Sequence, residues 1–177
     1  MNMRKLLLTT ALVSCAMPAF ATISYDETTK THYYEDVVVQ NKFNESNGGV
    51  LKVGTNESLY AEDVTFKNNT SALQGGAIVI GTKAKNVTVE DAHFIGNTGD
   101  NGGAIVNYSK LTVIESVFDG NTAVAQEYDN GGGALFLGAT SSSQVISESV
   151  FKNNTSNTKG GAIATREGTY GSNKNDL

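Results

Sequence analysis

The sequence predicts an all-β chain, a right-handed single-stranded parallel β-helix of about five coils behind a signal peptide. Three observations carry this. A two-part motif recurs at near-constant spacing, short β-branched runs alternate apolar and polar residues between its copies, and an apolar N-terminus ends at a small-x-small site. Composition agrees with a folded, repetitive exoprotein. Among 177 residues there are 19 glycines and one proline, with 39% hydrophobic and 18% charged residues, which fits neither a coiled coil nor a disordered tail. The single cysteine, Cys15, excludes an intramolecular disulfide and a multi-cysteine zinc site.

The N-terminus comes first. Arg4 and Lys5 form a basic start, Leu6 to Ala16 an apolar core, and Pro18 precedes Ala19-Phe20-Ala21. This reads as a signal peptide over 1–21, too short and wrongly flanked for a membrane span. Leu12-Val13-Ser14-Cys15 is the competing pattern, in which a lipid on Cys15 anchors the chain. Cleavage after Ala21 removes two basic residues, leaving 11 basic against 18 acidic and a net charge of −7. Arg166 is then the lone arginine, and no basic patch remains for nucleic acid. The stretch 22–42, with Tyr25, Tyr33, Tyr34 and Val37-Val38-Val39, is expected to cap the first coil.

Residues 43–167 hold the repeats. Phe-x-x-Asn begins at Phe66, Phe94, Phe118 and Phe151, ending on Asn69, Asn97, Asn121 and Asn154. Each copy continues into Gly-Gly-Ala-Ile or Gly-Gly-Ala-Leu, and a worn copy reads Phe43 followed by Gly48-Gly49-Val50-Leu51. The glycine pairs start at 48, 75, 102, 132 and 160. Runs such as Asn86-Val87-Thr88-Val89 lack any helical stripe, so helical repeats are excluded. Each period holds about three short strands, which bury an apolar face only by stacking on neighbouring units. Coils then lie about 4.8 Å apart.

Stacking assigns roles to the recurring letters. The four phenylalanines form an interior aromatic ladder, and the four asparagines an amide ladder at a bend. Ile78, Ile105, Leu135 and Ile163, with Leu51 before them, form an interior aliphatic row. The next position, Lys52, Val79, Val106, Phe136 and Ala164, is mixed and is expected to face outward.

These motifs resemble the repeat of the chlamydial polymorphic outer membrane proteins, shared by bacterial autotransporter passengers and surface adhesins. The resemblance covers roughly Phe43 to Thr165. It implies a surface-displayed β-helix contacting receptors or glycans of host or neighbouring cells, exported to the outer membrane surface or the extracellular space. Family members also carry a C-terminal membrane barrel. Here the chain runs into a polar tail, 168–177, read as a truncation, so attachment through a barrel would need a segment this sequence lacks.

Catalytic chemistry finds little support. Three residues before each phenylalanine stand Asp63, Asp91, Glu115 and Glu148, which stacking brings into one column. The column reads first as a solvated face and second as a weak divalent-cation site. His32 and His93 have no partner at metal spacing. No phosphate loop or nucleophile elbow is present, and no cofactor is expected. The fourth copy carries extra residues within Thr122 to Asn130, an outward loop in which Glu127, Tyr128 and Asp129 are candidate contact residues. The function expected is a non-enzymatic, adhesin-like or structural passenger segment. The alternative is a polysaccharide-active, pectate-lyase-like β-helix enzyme.

Overall fold

The computed structural model describes residues 21–126, 131–138 and 143–166. The tail from 168 and all of the expected signal peptide except Ala21 lie outside these. Every regular element among the described residues is a β-strand, and the strands fall into four sheets. The second coil shows the plan. Ser58–Glu62 joins the first sheet, Thr65–Lys67 the second, Thr70–Ser71 the third and Ile78–Ile80 the fourth. Equivalent strands of successive coils pair in parallel, ending at Gln144–Ser147, Val150–Lys152, Thr155–Ser156 and Ile163–Thr165. The result is a parallel β-solenoid of five coils. Each coil has four strands where the sequence predicts three. The additional one spans two residues after the ladder asparagine, too short to leave an alternating pattern.

The first coil begins inside the 22–42 stretch. Thr31–Glu35 and Val38–Gln40 already pair in parallel with the second coil. Among the described strands only Thr22–Asp26 stands outside the parallel stack, folding back antiparallel along the lower edge of the first sheet. The worn repeat copy is therefore shifted. Phe43 pairs with Thr70 in the third sheet and is 66% exposed, whereas Val39 occupies the register of Phe66. Valine is too small to continue an aromatic stack. Tyr34 fills the space instead, its ring centroid 5.8 Å from that of Phe66.

Above Tyr34 the phenylalanines stack as predicted, at 5.0, 4.7 and 4.6 Å between successive centroids, with the ring planes of the upper two contacts nearly parallel. Phe66, Phe94 and Phe118 are fully buried. The amide ladder is saturated. The Asn97 Oδ1 accepts from both the backbone N–H and the Nδ2 of Asn69, each at 3.0 Å. The Asn97 Nδ2 donates upward to Asn121 Oδ1 at 3.0 Å and downward to the Phe66 carbonyl at 2.9 Å. Asn121 repeats this with Asn154 and Phe94. A fully buried asparagine thus meets its whole side-chain bonding capacity within the ladder. The residue before it sits in the left-handed region, at φ 52° to 65° in Asn68, Gly96, Gly120 and Asn153, which explains why that letter is only Asn or Gly.

The two glycines of each pair answer different constraints. The first has positive φ, for example 54° at Gly102. The second is required by the neighbouring coil: a Cβ on Gly103 would strike the carbonyl oxygen of Gly133, and one on Gly76 that of Gly103. At Gly161, in the last described coil, the nearest atom is 3.5 Å away.

The row expected to face solvent does so only at Lys52. Val79, Val106, Phe136 and Ala164 point away from the main core yet are at most 7% exposed, forming a second small cluster with Tyr108. The glycine corner supplies part of the cover, because a side chain on Gly75 or Gly102 would occupy the space taken by the Val79 or Val106 methyl. Tyr108 closes another side, edge-on to Phe136 at 6.4 Å, with its hydroxyl donating to Gln74 Oε1 at 3.0 Å.

Two stability series test these contacts by chemical denaturation. Gly103→Ala should cost about 3 kcal/mol or more, since only backbone surrounds the new methyl. Gly161→Ala should instead stabilise by about 0.4–1 kcal/mol, through lost freedom in the unfolded chain. In the second series, Phe94→Ala and Asn97→Ala should each cost about 3–5 kcal/mol. Phe43→Ala should stay within about 0.5 kcal/mol of wild type.

Candidate functional site

The residues singled out for chemistry lie on the corner between the first and second sheets. Asp63, Asp91, Glu115 and Glu148 occupy equivalent positions in successive coils, and Asp36 extends the column into the first coil. Sequence reading missed Asp36 because it was counted back from the phenylalanines, and the first coil has valine there. All five adopt the left-handed conformation, with φ between 48° and 51°. The backbone N–H groups of the lower four donate to carbonyls of the coil above, at 3.2–3.3 Å. This turns each side chain outward, at one coil spacing from the next.

Electrostatics follows from that spacing. Partial burial and then the carboxylates of Asp91, Asp36 and Glu62 raise the Asp63 carboxyl above its ordinary range. Asp91 and Glu148 do the same for Glu115. Among the described residues no group of three or more His, Cys, Asp or Glu side chains is arranged to hold a metal ion. The carboxylates run in a line and do not converge.

The other candidates separate. His32 sits beneath the second coil, its Nε2 3.1 Å from Glu57 Oε2 and its ring against Tyr25. Glu57 also accepts from the Gly54 N–H at 2.6 Å, which holds its carboxyl below the usual range. His93 is exposed on the second sheet, in register with Thr65 and Val117. Glu127, Tyr128 and Asp129 lie outside the described residues. Asp119 lies one sheet away from the acidic column, lowered by hydrogen bonds from Asn153 and Lys152.

A raised folded-state carboxyl binds protons more tightly than the unfolded chain does. The column therefore weakens the fold as pH rises through the carboxylate range, and the loss is complete at neutral pH. Asp91→Asn removes a central charge and places a residue better suited to positive φ. It should raise the melting temperature at neutral pH, with a smaller gain in acid and in high salt. Calcium should stabilise the wild type no more than sodium chloride at matched ionic strength. Calorimetric scans of both proteins in both salts read these differences.

No curated protein and no solved structure matches the chain. The description of the Chlamydia polymorphic membrane protein repeat matches it at three places, residues 63–81, 115–138 and 148–166. Each match opens on a left-handed acidic residue, at Asp63, Glu115 and Glu148. It then runs through the phenylalanine, the ladder asparagine and the glycine pair to the aliphatic strand of the fourth sheet. One matched unit thus follows one coil from the acidic corner to its end, and these three stretches are similar to the Chlamydia polymorphic membrane protein repeat.

Proposed function

We propose that this chain is exported and displayed at the bacterial surface as an adhesin-like, non-enzymatic solenoid of the autotransporter-passenger kind. The observation that carries this reading is the coincidence of matched repeat and structural coil. A protein whose recurring residues serve stacking presents an elongated array of outward side chains, suited to contact with another surface. The N-terminal apolar stretch and its Ala-x-Ala site support export. The carboxylates of the acidic corner stack in a line from coil to coil, with Glu35, Glu62 and Glu90 beside the first three, an arrangement suited to a solvated face more than to acid–base catalysis.

Beads coated with the purified chain test the reading directly. They should adhere to epithelial cell layers in a saturable manner, and soluble chain should compete. Intact bacteria producing the protein should lose it to externally added protease. Adhesion no better than that of albumin-coated beads, or release of unsaturated uronates from pectin, overturns the proposal.

A further inference from the structure

The outer face of the first sheet carries a feature that the stack does not need. In the first two coils its central outward row holds Tyr33 and Tyr60, paired across the sheet. The same row continues as Thr88, Thr112 and Val145 in the later coils. Small residues therefore satisfy the strand geometry there, and large aromatic rings facing outward bring no gain in core packing. The two rings meet edge to face, with centroids 6.4 Å apart. The Tyr60 hydroxyl donates to Glu62 Oε2 at 2.6 Å, which fixes that ring and orients the carboxylate. Around them lies a surface groove of about 380 Å³, whose lining also includes Thr31, Asn86 and Thr88.

We propose that this groove is a carbohydrate site for a neutral oligosaccharide. The chemistry of the lining selects the ligand. A pyranose presents an apolar C–H face and a rim of hydroxyls that both donate and accept. Tyrosine rings supply a rigid apolar face with a polar tip. The threonine hydroxyls, the Asn86 amide and the Glu62 carboxylate supply donors and acceptors at the rim. Charge narrows the class further. Glu35, Glu62 and Glu90 are register neighbours along one edge, and Asp36, Asp63 and Asp91 follow directly after them. That border repels uronate, sialylated and sulfated chains, leaving neutral sugars. The inference rests on the surface-display reading and names the partner class for it.

Only two of the seven tyrosines line the groove and both are varied in the test, so isothermal titration calorimetry reads binding in wild type and variants alike. The purified chain is titrated with chitotriose, N-acetyllactosamine and maltotriose, with a heparin fragment and a lysine decapeptide as charged controls. At least one neutral sugar should saturate, and heparin should not bind. Tyr33→Ala and Tyr60→Ala should each weaken binding by about tenfold or more at unchanged melting temperature. If either alanine variant fails to fold, Tyr60→Phe and Glu62→Ala take its place. Both keep the ring but remove its hydrogen bond, and should weaken binding by a smaller factor. The proposal is overturned if no neutral sugar saturates, if the tyrosine variants bind as wild type, or if the lysine peptide is the ligand the tyrosines hold. Bead adhesion separates the two readings: adhesion that survives in the double tyrosine variant without sugar binding removes the groove alone. Sugar binding without any adhesion sinks the adhesin reading and leaves the groove.

Discussion

Parallel hydrogen bonding between equivalent strands of successive coils is the constraint on which everything else depends. It places each residue about 4.8 Å above its counterpart. Any side chain is then judged mainly by how it packs against a copy of itself. Phenylalanine passes this test by stacking face to face, and asparagine by chaining amide to amide. Glycine passes where the next coil's carbonyl occupies the space a Cβ would need. A charged residue passes only where it is turned to water, and at the acidic corner its neighbours raise its proton affinity.

The same constraint explains how the solenoid tolerates irregularity. Between Phe118 and Gly132 the chain carries more residues than in the other coils, yet Phe118 still pairs with Phe151 and Leu135 with Ile163. The register is the same before and after the extra residues, because each sheet is paired independently of the number of residues between sheets. Lengths can vary where the backbone leaves the ladders. Within the ladders, the interior row, the asparagine row and the second glycine leave little freedom.

The outward surface divides into rows of different character. The corner after the first sheet is acidic in all five coils, while the outward row that starts at Tyr33 changes from aromatic to hydroxyl to aliphatic as the coils ascend. The fold does not dictate these letters. Variation there carries whatever recognition the protein performs, and the Tyr33–Tyr60 groove is where aromatic, hydroxyl and carboxylate groups meet most closely.

The sequence by itself determined the β-solenoid class, its five-fold repetition and the identity of the phenylalanine, asparagine and aliphatic ladders. That was possible because stacking demands like residues at like positions, and such demands repeat visibly in the letters. Tertiary structure alone decided the start of the first coil, where Val39 and Lys42 stand in place of phenylalanine and asparagine and the motif is no longer legible. It also decided that Val79, Val106 and Phe136 are covered, since the cover comes from a corner folded back over the strand and from Tyr108, neither marked by any periodicity. The pairing of Tyr33 with Tyr60 was hidden for a related reason. Two residues 27 positions apart become neighbours only once the register of the first coil is known, and that register is set by hydrogen bonds between backbones, which all residues share.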